Sequence, residues 1–259
     1  MVVVIGVAAV ASARSGSQST SSEQLAPASL VTKTTSVPTS VFDAVGTGTA
    51  HPAPTPINAP ALTADNKPEI LYMGAEYCPY CATERWPMVI ALSRFGTFSN
   101  LKTTHSSGND VFPNTETFSF HDASYQSPYI SFTGVEMQSN QQQGDSYATL
   151  DTPTAQQQEI LDTYDRSPYV GTATSSSGGI PFIDFGGRFV SGGATYDPSV
   201  LQGKSANEIA SALSDPTSKI AQGAVGAANT FTAAICSLTK NQPASVCTSP
   251  AITKIQASQ

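Results

Sequence analysis

From Pro68 onward, the chain alternates between short apolar runs and segments with helical spacing. The apolar run at residues 69–73 has the length of a buried strand, and an apolar helical stretch follows at residues 79–95. Pro87 lies inside that stretch, where it removes one helical hydrogen bond and is expected to kink the helix. Because strands and helices continue to follow one another, the pattern predicts an α/β domain over residues 67–250.

A second stretch of the pattern has the period of a β-strand. Residues 101–105 predict a second strand, and residues 112–138 then alternate apolar and polar side chains on both sides of Asp122-Ala123-Ser124. Since Asp and Ser are common in turns, the alternation predicts an inserted β-hairpin centred on that tripeptide.

Turn and cap residues divide the next part of the chain. Residues 152–164 predict a helix opened by Thr152-Pro153, and residues 167–179 predict a loop that leads to a strand at Ile180-Pro181. Gly186-Gly187 predicts a tight turn after that strand, because glycine adopts the positive φ angles that such turns require.

The last part of the chain is predicted to be helical. Ser205-Ala206-Asn207-Glu208 is a capping box for a helix through Leu213, and Asp215-Pro216 starts another helix. Apolar residues of this last helix recur at steps of three and four, which is typical of a face that packs on a core. They are Ile220, Ala224, Ala227, Phe231, Ala234, Ile235 and Leu238.

The N-terminal quarter differs in composition from the rest. Residues 1–13 are apolar, but too few to span a bilayer, which needs about 20 residues, and they lack the basic start of a complete signal peptide. We interpret them as a truncated membrane anchor or signal remnant, with a buried strand as the alternative. Residues 14–66 are rich in Ser, Thr, Ala and Pro and predict a linker. Within it, residues 37–46 predict a short helix that docks on the core.

The charge balance narrows the possible partners. Lys and Arg total 12 against 19 Asp and Glu, giving a net charge of -7. This balance offers no basic surface for nucleic acid, so we expect none as a partner. We expect the protein to lie outside the cytoplasm, secreted or held at the membrane only through an N-terminal anchor.

Cys78-Pro79-Tyr80-Cys81 lies where the predicted strand passes into the predicted helix. The first amide groups of a helix are unpaired, and the positive end of its dipole favours a thiolate at that position. Pro79 suits the first helical position, and Cys81 lies about one turn further on, within reach of a disulfide. The motif therefore predicts redox chemistry, with Cys78 as the nucleophile.

Two other interpretations of the motif remain open. A zinc site would need two further Cys or His ligands at short spacing, and neither His105 nor His121 supplies that spacing, so no metal is expected. The pair could also form an inert structural disulfide.

Two segments resemble the thioredoxin superfamily. Residues 76–81 (EYCPYC) resemble its active-site entry, and residues 179–193 (GIPFIDFGGRFVSGG) resemble its cis-proline strand, hairpin and following Gly-Gly. The resemblance implies a thioredoxin-like fold with an inserted β-hairpin region and an added C-terminal helix. It also implies that Ile180 and Pro181 bind substrate. Tyr77 and Trp86 are candidates for the floor of the same groove, with packing in the core as the alternative.

The superfamily resemblance also leaves gaps. In thioredoxin a buried acid helps to deprotonate the resolving cysteine, and the corresponding position here is Tyr72. Proton transfer to or from Cys81 must then use Glu76, Glu84 or water. Both carboxylates are expected to be solvated more often than functional. The acid that follows Gly-Gly closely in glutaredoxins is displaced here to Asp197.

A closer resemblance covers about residues 67–250. The strings GAEYCPYCATERW (74–86), ALSRFGTF (91–98), TTHSS (103–107) and YDPSVL (196–201) resemble the DUF929 family of thioredoxin-like proteins. That family often carries an N-terminal membrane anchor, so the resemblance implies the fold, the compartment and redox chemistry without naming a substrate.

Four cysteines allow three disulfide pairings. Proximity favours Cys78 with Cys81 and Cys236 with Cys247, the second as a structural disulfide that needs an oxidising compartment. The hypothesis is an extracytoplasmic thiol-disulfide oxidoreductase that uses Cys78 and Cys81 without a cofactor. Its expected partners are protein thiols or disulfides and a redox partner protein. The alternatives are a glutathione-linked, glutaredoxin-like reductase and a non-enzymatic surface module.

Overall fold

The computed structural model describes residues 22–170 and 178–258. Thirteen strands lie in this part of the chain: β1 (Gln24–Leu25), β2 (Thr55–Pro56), β3 (Thr63–Ala64), β4 (Lys67–Gly74), β5 (Thr97–Ser99), β6 (Lys102–His105), β7 (Glu116–Ser119), β8 (Ser124–Gln126), β9 (Ser131–Glu136), β10 (Gln138–Gln143), β11 (Ser146–Thr149), β12 (Phe182–Phe185) and β13 (Phe189–Gly192). Eight α-helices lie in the same ranges: α1 (Ala28–Thr35), α2 (Thr39–Val45), α3 (Pro79–Ser93), α4 (Ala155–Tyr164), α5 (Ala206–Ala212), α6 (Gly226–Leu238), α7 (Ala244–Cys247) and α8 (Pro250–Gln256). The protein is thus a mixed α/β structure.

The largest sheet has six strands and is organised around β4. Its order is β2-β13-β12-β4-β3, and β9 also pairs with β4. β4 runs antiparallel to β12 and parallel to β9, with Glu69 opposite Ser131. Because β4 has neighbours on both sides and leads directly into α3, the start of α3 is fixed to the middle of this sheet.

The two faces of the sheet are covered by different helices. Alternate residues of a strand point to opposite faces. Ile70 and Tyr72 of β4 therefore join the core that contains residues of α3 and α6, whereas Leu71 and Met73 pack with Ile160 and Leu161 of α4. Both faces are apolar, so β4, the strand that leads to the Cys78–Cys81 motif, is buried on each side.

Pro87 lies inside α3, as the sequence predicts, and its consequence is local. Proline has no amide hydrogen, so the carbonyl of Thr83 loses its helical partner. The hydroxyl of Tyr196 donates to that carbonyl at 3.0 Å instead. Gly186 and Gly187 have φ angles of 64° and 71° and join β12 to β13.

The linker prediction for residues 14–66 is wrong over the part that the structure describes, which begins at residue 22. α1 buries Leu30, and β1 pairs with β6. The predicted docking helix is present as α2, which buries Val41, Phe42 and Val45. A few apolar residues are enough to order this segment, because neighbouring helices of the core cover them. Residues 1–13 lie outside the described residues.

The predicted hairpin around Asp122-Ala123-Ser124 is also wrong. β7 pairs with β6, β8 pairs with β5, and β9 crosses to lie parallel to β4. The hairpin in this region is formed instead by β10 and β11. Alternation identifies half-buried strands but not their partners, and a parallel partner lies far away in sequence.

The C-terminal helices extend further than predicted. α6 follows a π-helical turn at Ala221–Val225, later than Asp215-Pro216, and its predicted apolar stripe is largely buried. The capping box at Ser205 and Glu208 begins α5. α8 packs on α6 and α2 beyond the expected boundary at residue 250. No helix within residues 22–170 and 178–258 is long and apolar enough to cross a membrane.

Candidate functional site

Cys78 occupies the N-cap of α3. Its backbone is extended, with φ of -75° and ψ of 122°, and Pro79 takes the first helical position. The Cys78 sulfur accepts a hydrogen bond from the amide of Cys81 at 3.3 Å. This is the capping geometry that an oxygen side chain usually provides, and it places the sulfur at the positive end of the helix.

The two thiols have opposite electrostatic surroundings. Hydrogen bonding from the Cys81 thiol, assisted by the Cys81 amide and the Arg85 charge, lowers the pKa of Cys78 despite its burial. Burial raises the pKa of Cys81 well above its ordinary value, and interaction with Cys78 adds to this effect. The difference favours a thiolate at Cys78.

The strand after residue 178 brings Ile180 and Pro181 to the motif. The Cys78 thiol lies 3.6 Å from the carbonyl oxygen of Ile180, to which it donates. The Ile180-Pro181 peptide bond is cis, as predicted. The carbonyl of Pro181 accepts from the amide of Gly193 at 2.8 Å, so the Gly192-Gly193 segment holds this strand end in place.

Aromatic side chains surround the opening of the site. The ring of Tyr77 stacks on Tyr147 of β11 with a centroid distance of 4.2 Å, and the Tyr147 hydroxyl donates to Ser107. On the other side, Tyr80 contacts Phe112 edge to face. Trp86, a second candidate for the groove, is instead fully buried and donates to the carbonyl of Glu116.

A charged cluster lies beneath the motif. Arg85 is fully buried and donates from Nε and Nη2 to the two carboxylate oxygens of Glu136, at 2.7 and 2.6 Å. Its Nη2 also donates to the carbonyl of Ala75 at 2.8 Å. This ion pair was not predicted from the sequence. The available signal was a charged residue at Arg85, inside an apolar stretch that was predicted to be a buried helix.

A known protein family matches the part of the chain that forms this site. The model of the family described as "Domain of unknown function (DUF929)" matches residues 54–237, which is more than half of the chain. The chain belongs to the DUF929 family. The matched range of this DUF929 protein includes Cys78, Cys81, Ile180 and Pro181. No curated protein and no solved structure matches it.

Glu76 and Glu84 of the DUF929 protein are buried, contrary to the expectation that they are solvated. Glu84 Oε2 accepts from the amide and hydroxyl of Thr195 at 3.0 and 3.1 Å. Burial raises the pKa of Glu84 to about 8. Its hydrogen bonds thus join α3 to the segment after β13 rather than to the thiols.

Asp197 of the DUF929 protein is exposed and caps its own helical turn. Its carboxylate accepts from the amide and hydroxyl of Ser199 at 2.9 and 2.7 Å. These bonds lower the pKa of Asp197. The carboxylate therefore serves the turn at Pro198–Leu201.

The second cysteine pair of the DUF929 protein forms the predicted disulfide. Cys236 of α6 is bonded to Cys247 of α7, with Cα atoms 5.5 Å apart. Both residues are buried in the core that contains Ile252 of α8. Cys78 and Cys81 are present as free thiols. Within the described ranges, His, Cys, Asp and Glu side chains form no group of three that could hold a metal.

Proposed function

We propose that this DUF929 protein is a thiol-disulfide oxidoreductase that exchanges disulfides with protein thiols through Cys78 and Cys81. One observation carries the proposal. The Cys78 sulfur caps α3, accepts from the Cys81 amide, and lies 3.6 Å from the carbonyl that precedes Pro181. A capped, low-pKa sulfur beside an accessible backbone segment is suited to attack on a disulfide.

The topology supports a thioredoxin-like core as part of this proposal. The elements β4, α3, β9, α4, β12, β13 and α6 follow one another in this order along the chain. Their four strands lie in the large sheet in the order β13-β12-β4-β9. β9 is parallel to β4, whereas β12 and β13 form the antiparallel edge. Helices α3 and α6 lie on one face and α4 on the other. β5 to β8 are then an insertion between α3 and β9.

The reaction needs only the two thiols and the substrate. In the reducing direction, the Cys78 thiolate attacks a substrate disulfide, and the leaving substrate sulfur takes a proton. Cys81 then loses its proton and attacks the Cys78 sulfur, which forms the Cys78–Cys81 disulfide and releases the second substrate sulfur as a thiol. Two electrons pass from the protein to the substrate, and the oxidising direction reverses each step.

The surface around Cys78 favours polypeptide substrates. Tyr77 is half-buried, and Tyr80 is 41% exposed and contacts Phe112. Val111, which directly precedes Phe112 in the chain, is 63% exposed. Apolar surface of this kind fits side chains that flank a substrate cysteine. A redox partner protein would use the same opening. A glutathione-linked activity has less support, because Asp197 is engaged with Ser199.

The compartment is part of the proposal. Both cysteines of the Cys236–Cys247 disulfide are buried, and disulfides of this kind persist in oxidising compartments. We therefore propose that the protein lies outside the cytoplasm, secreted or held at the membrane through an N-terminal anchor.

Trapping of a mixed disulfide tests the proposal. The Cys81→Ser variant should accumulate a covalent complex with a reducible protein such as insulin, because the resolving thiol is absent. The Cys78→Ser variant is the matched control and should form no complex, since burial raises the pKa of Cys81. Equal trapping by both variants, or by neither, would overturn the proposed roles and leave the structural disulfide as the better account.

A further inference from the structure

Arg85 is fully buried on α3, four residues and thus about one helical turn after Cys81. Its side chain therefore lies on the same face of the helix as Cys81. Nε and Nη2 are paired with Glu136 of β9, in a bidentate arrangement that fixes the plane of the guanidinium. The positive charge is consequently held in one place beneath the motif.

The guanidinium is linked to the nucleophile through one carbonyl group. Ala75 O accepts from Arg85 Nη2 at 2.8 Å and from the amide of Cys78 at 3.3 Å. Any movement of the guanidinium is thus transmitted to the turn that positions Cys78. The same positive charge lowers the pKa of both thiols, as one of several influences on each.

Two polar atoms in this layer have unused hydrogen-bonding capacity. Among the residues that the structure describes, no group pairs with Nη1 of Arg85 or with the hydroxyl of Tyr72. The Arg85 guanidinium carbon lies 5.8 Å from the centre of the Tyr72 ring. Buried donors are normally satisfied, so an unpaired guanidinium nitrogen is consistent with a charge that forms during the reaction.

We propose that Arg85 is a positioning residue of the thiol site, whose guanidinium, oriented by Glu136, is the fixed positive charge that stabilises the thiolate form of the Cys78–Cys81 pair. This inference rests on the proposed function. The position that corresponds to thioredoxin's buried acid is Tyr72 here. In this proposal the charged group in that layer is the Arg85 guanidinium instead. When Cys81 loses its proton and attacks Cys78, the charge on sulfur forms in the field of a cation that is already in place.

Other ionisable groups face the same layer. Tyr72 lies on β4 and Glu136 on β9, and each interacts with Arg85. Tyr77 directly precedes Cys78, and Glu76, one residue further back, is buried. The Glu136 carboxylate opposes a thiolate, whereas Arg85 favours it. Removal of one charge at a time therefore shifts the thiol pKa in opposite directions, which a purely structural ion pair between α3 and β9 would not do.

The experiment titrates the reduced pair by thiolate absorbance at 240 nm. The double variant Arg85→Met, Glu136→Met removes both charges without leaving either buried and unpaired. We expect a raised Cys78 pKa and about a tenfold lower equilibrium constant for reduction by dithiothreitol, equivalent to about 30 mV for two electrons. Loss of the cation destabilises the reduced form, which explains the sign of both changes.

Two further variants keep the result decisive. Glu136→Gln retains an acceptor for Arg85 but removes the opposing charge, so the Cys78 pKa should fall. Arg94→Met is the matched control. Arg94 ends the same helix and is half-buried, but it donates to Asn229 and Thr232 and covers the ring of Phe42. It should leave the Cys78 pKa unchanged.

The outcomes separate this inference from the proposed function. If the wild-type Cys78 titrates at the ordinary value for a free thiol, the proposed function fails, and this inference fails with it. If the wild-type pKa is low but neither Glu136→Gln nor a folded double variant moves it, the inference alone is overturned. An equal shift in Arg94→Met would show a general effect of charge and would also overturn it. If the double variant does not fold, the sign of the Glu136→Gln shift decides.

Discussion

Cys78 and Cys81 lie where a buried strand passes into a helix, whereas Cys236 and Cys247 connect two helices within an apolar core. The Cys78 sulfur accepts an amide hydrogen bond at the start of α3. Cys236 lies inside α6, and the amide three residues after it, that of Thr239, already donates to the carbonyl of Ile235. The two pairs have the same chemistry in isolation but very different surroundings.

This difference shows how the environment decides what a pair of cysteines can do. A helix start and a fixed cation stabilise a thiolate, and the Cys78 sulfur lies 3.6 Å from the carbonyl of Ile180, which is half-buried. An apolar core disfavours the thiolate and excludes a reactant. The first pair is therefore suited to exchange, and the second is suited to stabilise the C-terminal helices.

The largest expected effect concerns the second pair, Cys236 and Cys247. Replacing Cys236 and Cys247 together by serine should reduce the free energy of unfolding by roughly 2 to 4 kcal/mol, because the unfolded chain loses its cross-link. Turnover per folded molecule should be unchanged. Urea unfolding and a disulfide reductase assay on the same samples would check this. Loss of turnover at unchanged stability would place this pair in the electron relay.

A pH series separates the thiol site from other buried polar groups of α3. Burial raises the pKa of Glu84 from 4.5 to about 8, so the folded state retains a proton that the unfolded state releases. The stabilisation is complete below about pH 4.5 and is lost as pH rises through 8. Between about pH 6 and 8, the free energy of unfolding should fall by roughly 2 kcal/mol.

The Glu84→Gln variant should remove most of that dependence on pH while leaving the Cys78 pKa unchanged, because Glu84 bonds to Thr195. Glu159→Gln, at an exposed position of α4, is the control. Chemical denaturation at several pH values gives the measurement. A shifted Cys78 pKa in Glu84→Gln would show that Glu84 belongs to the thiol site after all.

The smallest expected effect concerns the opening of the first site. Tyr147→Ala removes the ring that stacks on Tyr77 and should lower kcat/KM for protein disulfides by roughly 3- to 10-fold, the range for an aromatic pair. Tyr147→Phe retains the ring and loses only the hydrogen bond to Ser107. A small disulfide substrate should be insensitive to both changes. Equal losses with small and protein disulfides would argue against a role in substrate binding.

The elements that sequence analysis predicted are those whose signals are local. The apolar strand before Cys78, proline at the first position of α3, and the capping box at Ser205 each lie within a few residues of the structure they specify. The Cys236–Cys247 pairing followed from proximity in the chain.

The features that were missed depend on distant partners. Arg85 and Glu136 are 51 residues apart, and each alone resembles an ordinary charged residue. β10 consists of Gln, Ser and Asn. It therefore has no alternation of apolar and polar residues from which a strand paired with β11 could be predicted. The segment before residue 67 has few apolar residues, and its order comes from helices more than 100 residues away, as when Asn229 donates to the carbonyl of Phe42.

The most direct test of the contrast between the two pairs is their reduction under native conditions. The protein would be equilibrated with graded dithiothreitol, alkylated, and mapped by mass spectrometry at all four cysteines. We predict that Cys78–Cys81 is reduced at mild dithiol concentrations, with Cys78 alkylated faster than Cys81 near neutral pH, while Cys236–Cys247 stays oxidised until the protein unfolds. Reduction of Cys236–Cys247 first, or resistance of Cys78–Cys81 to any dithiol short of unfolding, would contradict the account.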